Sequence, residues 1–267
     1  MTKTVVSGAA GRMGRCIITL IQESKNLELN GAIESRSCKR LGDDIGEIIG
    51  IGKSGVPLTS SIDAALEGAD VLIDFSHAES SLDILRAAAG RGIACVVGTT
   101  GFSREETEKI QALAEKVPCV FAPNMSVGVN LLFKLLKDVS TVLGNDYDVE
   151  IVEAHHRMKK DAPSGTALKM AQVVADTLGR NLEDVGVYGR KGLIGERSGK
   201  EIGIQTVRGG DIVGEHTVMF CGLGERVEIT HRASSRDTFA RGALKAAAWV
   251  VSQDPGLYTM QNVLGIV

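Results

Sequence analysis

The chain has 267 residues, 43% hydrophobic and 24% charged, with a net charge of −3. That length suits one large domain or two ordinary ones, with ample material for a core. The charge balance gives no global electrostatic case for nucleic acid or a membrane surface, and no apolar run approaches a bilayer span.

The first residues, M-T-K-T-V-V-S-G, enter a strand pattern at once and lack the apolar core expected of a signal peptide. The five cysteines form no C-x-x-C pair, and Cys95 and Cys119 sit inside apolar, strand-like runs. We expect free thiols in a reducing cytoplasm, with no disulfide framework and no metal site.

Thr4–Ser7 is a β-branched run followed by Gly8-Ala9-Ala10-Gly11-Arg12-Met13-Gly14. Met13, Ile17, Leu20 and Ile21 then mark one face of a helix, and Leu27–Ile33 reads as a second strand ending at Glu34. Gly14 to Glu34 spans about 20 positions, the distance expected for an acid that binds an adenosine ribose. The spacing is G-x-x-G-x-x-G rather than G-x-G-x-x-G, so the placement between strand and helix carries the nucleotide reading. A tight turn needing glycine for backbone reasons alone is the competing explanation.

Residues 35–59 are glycine-rich and read as a long loop or a set of turns. Ser60-Ser61 can cap a short helix over Ile62–Leu66. Val71–Phe75, Ala94–Gly98 and Val117–Ala122 are apolar strands ending in Ser76-His77, Gly98-Thr99-Thr100 and Pro123-Asn124-Met125-Ser126. Helical patterns separate them, one opened by a Ser103/Glu106 capping box. Strands alternating with helices predict a parallel, doubly wound α/β sheet that binds ligands beyond its strands' carboxyl ends.

From Ser126 the character changes. Val127–Leu143 is a long amphipathic helix closed by Gly144, and Tyr147–Val152 alternates as a strand. Ser164 or Thr166 caps a helix running to Leu178, and residues 180–200 carry no clear element. Ile202–Val207, Glu215–Cys221 and Glu225–His231 read as strands, the last two joined by a three-residue hairpin loop, Gly222-Leu223-Gly224. Ser234 with Asp237 caps a final alanine-rich helix, Arg236–Val251, expected to return to the first domain. The expected domains are therefore 1–126 with 236–267 for the dinucleotide, and 127–235 for substrate and oligomerisation.

Between strand and helix lies E-A-H-H-R-M-K-K-D-A-P-S-G-T, Glu153–Thr166. Taken singly its residues fit a charged surface loop. Together they place His155, His156 and Lys159 on a turn beside a helix entrance, where backbone N–H groups welcome an anion. Hydride delivery leaves negative charge that needs a proton or a cation, and histidine titrates near neutrality. Lysine supplies charge, or a proton if its pKa is lowered. Gly165-Thr166 suits a carboxylate. These residues point to a nicotinamide-dependent reductase of a small anionic molecule. Another two-domain nicotinamide dehydrogenase, or a nucleotide-sensing regulator without catalysis, is the alternative.

The stretch E-A-H-H-R-x-K-x-D-A-P-S-G-T-A resembles the signature of the 4-hydroxy-tetrahydrodipicolinate (dihydrodipicolinate) reductases of bacterial lysine and diaminopimelate synthesis. The resemblance covers the whole chain: G-x-x-G-R-M-G at Gly8–Gly14, V-G-T-T-G-F at Val97–Phe102 and N-M-S-V-G-V-N at Asn124–Asn130. It continues through R-G-G-D-I-V-G-E-H-T at Arg208–Thr217 and I-T-H-x-A-S-S-R at Ile229–Arg236. It implies a Rossmann-like N-terminal domain, a C-terminal α+β domain with a mixed sheet, a homotetramer, and NADH or NADPH as cofactor. It implies that His155 is the proton donor/acceptor and Lys159 a proton donor, with His156, Gly165 and Thr166 holding substrate. The cofactor residues it implies are Gly8, Ala9, Ala10, Gly11, Arg12, Met13, Glu34, Gly98, Thr99, Thr100, Ala122, Pro123, Asn124 and Met125. Ser35, His77 and Met125 stand where family members often carry Arg, Arg and Phe, and all three bear on cofactor grip.

Overall fold

The computed structural model describes residues 1–266. In order, the chain forms β1 (Thr2–Ser7), α1 (Arg12–Gln22), β2 (Leu27–Ile33), α2 (Ile45–Ile49), β3 (Leu58–Thr59) and α3 (Ile62–Leu66). Then come β4 (Val71–Asp74), α4 (Ala78–Ala89), β5 (Ala94–Val97), α5 (Arg104–Ala114), β6 (Pro118–Phe121) and α6 (Val127–Leu143). Next are β7 (Asp148–His155), α7 (Gly165–Thr177), α8 (Leu182–Val185), β8 (Gly186–Val187), β9 (Ile202–Arg208), β10 (Gly214–Cys221) and β11 (Arg226–Ala233). The last are α9 (Asp237–Val250), β12 (Gly256–Tyr258) and α10 (Met260–Leu264). Two units emerge: Met1–Val127 with the segment from Arg236 onward, and Gly128–Ser235.

The first unit is built on strands too apolar to face water on either side. Val71, Leu72 and Ile73 are all fully buried. Period two sends Val5, Leu72, Cys95 and Cys119 into one core layer, and Val6, Ile73, Val96 and Val120 into the other. The sheet runs β12-β6-β5-β4-β1-β2-β3, parallel throughout. Its order reverses between β1 and β4, the switch point where such sheets take a ligand. The helix from Asp237 packs on α1 and β5, so the chain's last helices belong to this unit.

In the second unit the order is β11-β10-β7-β9-β8, with β7 antiparallel to β10 and parallel to β9. One face carries Val149, Ile151, Ile202, Ile204, Val218 and Phe220, packed under α6 and α7. This is the mixed sheet expected above.

Several local expectations need correction. The loop over 35–59 contains α2 and β3, because Asp44 caps α2 through the Gly46 and Glu47 N–H groups and also holds Ser54 and Gly55. Residues 180–200 include α8, capped by Asn181, and the short strand β8. The β10–β11 connection spans residues 222–225, closed by the Gly222 N–H to Glu225 O bond at 3.0 Å. Ser234 does not cap α9, whose N-cap is Arg236 with no side-chain cap bond. β7 continues through His155, so that histidine sits on a strand end rather than in a turn. The Ser103/Glu106 capping box and the Ser61 cap are present as read.

Gly242 on α9 lies so close to the chain at Met125 that an added Cβ would meet the Met125 carbonyl oxygen at 1.8 Å. We predict that Gly242→Ala costs about 1–3 kcal/mol of stability, as overpacking typically does. Urea unfolding checks this; an unchanged midpoint would refute the close approach.

Candidate active site

In the first unit, Gly8 adopts φ +72°, and a Cβ there would strike the Phe75 carbonyl oxygen at 2.3 Å. The turn after β1 therefore presses against the end of β4. A Cβ at Gly14 would meet the Gly8 carbonyl oxygen at 2.2 Å, which fixes α1 close beneath the turn. Glu34, at the end of β2, accepts from Ala10 N at 3.0 Å with one oxygen and from Ser35 N at 2.9 Å with the other.

The N-caps of α1 and α4, Gly11 and His77, make no side-chain cap bond, whereas Ser61 and Ser103 cap α3 and α5. The two uncapped helix starts thus flank the switch point between β1 and β4. Their N–H groups suit a pyrophosphate, and a carboxylate beside the turn suits a ribose, so this edge fits a dinucleotide.

Gly11, Arg12, Thr100 and Pro123 are exposed, and Gly8, Ala10, Met13, Gly98 and Asn124 are half-buried. Ala9, Thr99, Ala122 and Met125 lie beneath this surface. Thr99 gives its hydroxyl proton to Asp74 at 2.6 Å and accepts from Ser76 N at 2.9 Å. Asp74, fully buried, also accepts from Ser76 Oγ at 2.7 Å and from Ser81. The carboxyl ends of β4 and β5 are thereby tied together by an acid the sequence reading did not single out.

In the second unit, the core face of the sheet turns polar at one end. On β7 the inward series Val149, Ile151 continues as Glu153, His155. On β9, Ile202, Ile204 continues as Thr206, Arg208. On β10, Phe220 and Val218 lead to His216 and Gly214. Register then pairs Glu153 with Thr206 and with His216, and His155 with Arg208.

Glu153 is 0% exposed. Arg208 donates to both of its oxygens, at 2.7 and 2.8 Å. Ser164 N donates at 2.9 Å, Thr206 Oγ1 at 3.3 Å, and His155 Nδ1 lies 2.6 Å away. Burial alone would raise its pKa. The Arg208 guanidinium, His155 and the Ser164 N–H overcome that and hold the carboxyl at about 2.

An ionised carboxylate only accepts, so the proton of neutral His155 sits on Nδ1; Nε2 is left free to take a proton, and gives one when the ring is protonated. Nε2 points at Gly214, where an added Cβ would stand 3.1 Å from it. Burial lowers the pKa of His155, partly offset by Glu153, and Lys159 and Arg208 add to the lowering.

His216, 4% exposed, meets the His155 ring edge-on at 5.2 Å and lies 3.1 Å from Ser164 Oγ through Nε2. Burial, with His155 nearby, drives its pKa down to about 4.

Ser164 Oγ caps α7 by accepting from Ala167 N at 3.2 Å, placing Gly165 and Thr166 at the helix start. His156 follows the strand with its buried Nδ1 unpaired among the described residues. Lys159 Nζ pairs with Asp161 at 2.8 Å. The loop after β9 ties in through Gly209 N to His155 O and Arg157 N to Gly210 O. Within Glu153–Thr166, Glu153 links His155 to Ser164 at the start of α7, and Lys159 pairs with Asp161. The same network takes in Glu153, Ser164, Arg208 and His216, with Gly214 against the His155 ring, none of which the sequence reading named as a site residue; an acid in the inward phase of an apolar strand was the available signal.

Two family models match, dihydrodipicolinate reductase N-terminus over residues 2–125 and C-terminus over residues 128–264. The chain is 60% identical to the 4-hydroxy-tetrahydrodipicolinate reductase of Syntrophobacter fumaroxidans, over 100% of both chains. It is 58% identical to that of Syntrophus aciditrophicus, over 99% of both. The solved dipicolinate-bound dihydrodipicolinate reductase from Paenisporosarcina sp. TG-14 shares the fold, with a TM-score of 0.77 at 24% identity over 97% of each chain.

Because His216 is neutral when folded and ordinary when unfolded, only the unfolded chain binds its proton between pH 6.5 and about 4. Its share of stability is complete above that window and falls as pH drops through it, by up to about 1.4 kcal/mol per pH unit. Unfolding of wild type and His216→Gln at pH 7, 5.5 and 4 should show the wild type losing stability faster. Parallel curves would contradict the assignment.

Proposed function

The chain belongs to the 4-hydroxy-tetrahydrodipicolinate reductase family, NAD(P)H-dependent oxidoreductases of the diaminopimelate route to lysine, and we propose how its residues divide that work. The reaction adds a hydride and a proton to 4-hydroxy-tetrahydrodipicolinate and releases tetrahydrodipicolinate and water. When bound, the reduced nicotinamide supplies the hydride.

The observation that carries the reading is the short His155 Nδ1 contact to buried Glu153. It leaves Nε2 as the atom that exchanges a proton with substrate. Lys159 serves as second proton donor and local positive charge, restrained by Asp161. Asp161 is held ionised chiefly by that bond, its pKa lowered. The start of α7 at Gly165 and Thr166 takes one substrate carboxylate, and His156, next to His155 on the chain, contributes to the same binding surface. The dipicolinate in the Paenisporosarcina relative supports a pyridine-like dicarboxylate as the ligand.

For the cofactor, Gly8, Ala10, Gly11, Arg12 and Met13 form the phosphate turn over Ala9, with Glu34 at the ribose. Gly98, Thr99, Thr100 and Ala122 to Met125 shape the edge beyond β5 and β6. The sheet face bearing Val152, Val207, Thr217 and Met219 lies opposite the α6–α7 core, and a homotetramer would cover it. Among the described residues no helix is long and apolar enough to cross a membrane, and we place the enzyme in the cytoplasm.

The first test is oxidation of NADH and of NADPH on adding the family substrate; no turnover with either would overturn the reading. Replacing His155 or Lys159 with a neutral residue should lower kcat about a hundredfold, with cofactor affinity unchanged. Near wild-type kcat in both would remove them from the chemistry. A pyridine dicarboxylate, with cofactor present, should slow hydrogen exchange at the start of α7; protection confined to residues 180–200 would place the carboxylate elsewhere.

Cofactor preference follows from Glu34, which favours NADH through ribose hydroxyls and repels a 2′-phosphate. Arg40 is tied to Asp43, whereas Arg36 and Lys39 are exposed and in no ion pair among the described residues; Arg36, two positions from Glu34 and with a guanidinium suited to phosphate, is the cation expected to offset that repulsion. NADH should therefore serve at least as well as NADPH. A strong NADPH preference in kcat/KM that disappears in Arg36→Ala would reverse this order.

A further inference from the structure

We propose that Glu153 is the positioning residue of this site: one carboxylate fixes the proton-exchanging nitrogen of His155 and anchors the start of α7. The acid and the anion seat are then held in a single frame.

Each oxygen has its own task. Oε2 takes the His155 Nδ1–H at 2.6 Å and one Arg208 nitrogen at 2.7 Å. Oε1 takes the Ser164 N–H at 2.9 Å and the other Arg208 nitrogen at 2.8 Å. Ser164 is the N-cap of α7, so the residue that orients the helix start hangs on the oxygen next to the one that orients the imidazole. Arg208 also donates to the Asp161 carbonyl at 2.7 Å, which ties the turn carrying Lys159 to the same pair.

Every neighbour of the carboxylate is a donor, and this makes the arrangement a selector of tautomer. With an acceptor facing Nδ1, the imidazole has one neutral form that satisfies the bond, and its Nε2 stays unprotonated toward Gly214. The charged groups facing His155 are Glu153 on its own strand, Arg208 on β9 and Lys159 in the turn. His216 faces it from β10, is kept neutral by burial, and has His231 of β11 opposite it in register. Glu153 is the one anion in that set, and it opposes the lowering that burial and the two cations impose.

The proposal rests on His155 being the residue that exchanges a proton with substrate, giving it from Nε2 in the protonated ring whose Nδ1–H Glu153 holds. It separates from a merely stabilising buried ion pair because E153Q keeps the shape and removes the all-acceptor character. A glutamine amide cannot accept from Arg208, Ser164 N and His155 Nδ1 together. Its NH₂ must face a former donor, and the contact released most readily is the neutral imidazole, which can swap tautomer.

The test uses the full-length protein. ¹⁵N-histidine NMR near neutral pH, with the His155 signal assigned by its loss in H155Q, should show the Nδ1–H tautomer in wild type and loss of that preference in E153Q. Steady-state rates should show kcat of E153Q reduced on the order of tenfold or more, with KM for NADH unchanged. The alkaline limb of its kcat profile should move to lower pH, because the anion that favours the protonated imidazole is gone.

An Nε2–H tautomer in wild type overturns the proposal, and this measurement stands even if E153Q does not fold. An E153Q protein that keeps both the tautomer and the alkaline limb also overturns it. A full-rate H155Q instead removes His155 as the acid, and so the function assigned to Glu153 through it. H155Q inactive with E153Q at full rate removes the positioning role alone.

Discussion

The second unit depends on one fact of solvation: a fully buried carboxylate is tolerated only where its charge is matched and its lone pairs are filled. Glu153 meets that demand by drawing on β9 through Arg208 and Thr206, on α7 through Ser164, and on its own strand through His155. Removing Arg208 would leave an unbalanced charge in the core, and removing any of the others would leave a lone pair unfilled. The same condition that makes the acid bearable therefore fixes the relative placement of the elements bearing His155, Ser164 and Arg208.

The two units treat helix starts in opposite ways. In the parallel-sheet unit the starts beside the switch point are left without side-chain caps, at Gly11 and His77, so their N–H groups remain for an external anion. In the mixed-sheet unit, α7 is capped by the Ser164 hydroxyl, which engages the Ala167 N–H. A pyrophosphate and a carboxylate differ in size and charge, and an open glycine turn suits the larger anion better than a serine-capped one.

The sequence was most legible where a single local rule governs. The continuous apolar strands, the Ser103/Glu106 box and Val127–Leu143 follow from periodicity and capping alone, and the structure has them. It was least legible where tertiary hydrogen bonds make an element. α2 exists because Asp44 gathers N–H groups from both ends of a glycine-rich loop, and β8 because β9 pairs with it. The site shows the same division. His155, His156, Lys159, Gly165 and Thr166 lie in one short stretch and could be read together. Arg208, Gly214 and His216 are far along the chain and reach Glu153 and His155 only through strand register, which no local pattern states. Glu153 itself lay in view, in phase with Val149 and Ile151, but its identity as a core residue depends on knowing that β7 runs on to His155.

The return of the chain from Arg236 into the first unit has a consequence for the order in which the protein is made. The edge strand β12 pairs with β6, and α9 packs on α1 and β5. Both are translated after the whole of the second unit. A nascent chain therefore carries an incomplete parallel sheet, with one edge unpaired and an apolar layer uncovered, while residues 128–235 emerge and can fold as a contiguous piece. The interrupted unit is thus the last to become complete, and its exposed β6 edge is the stretch for which protection during synthesis matters most.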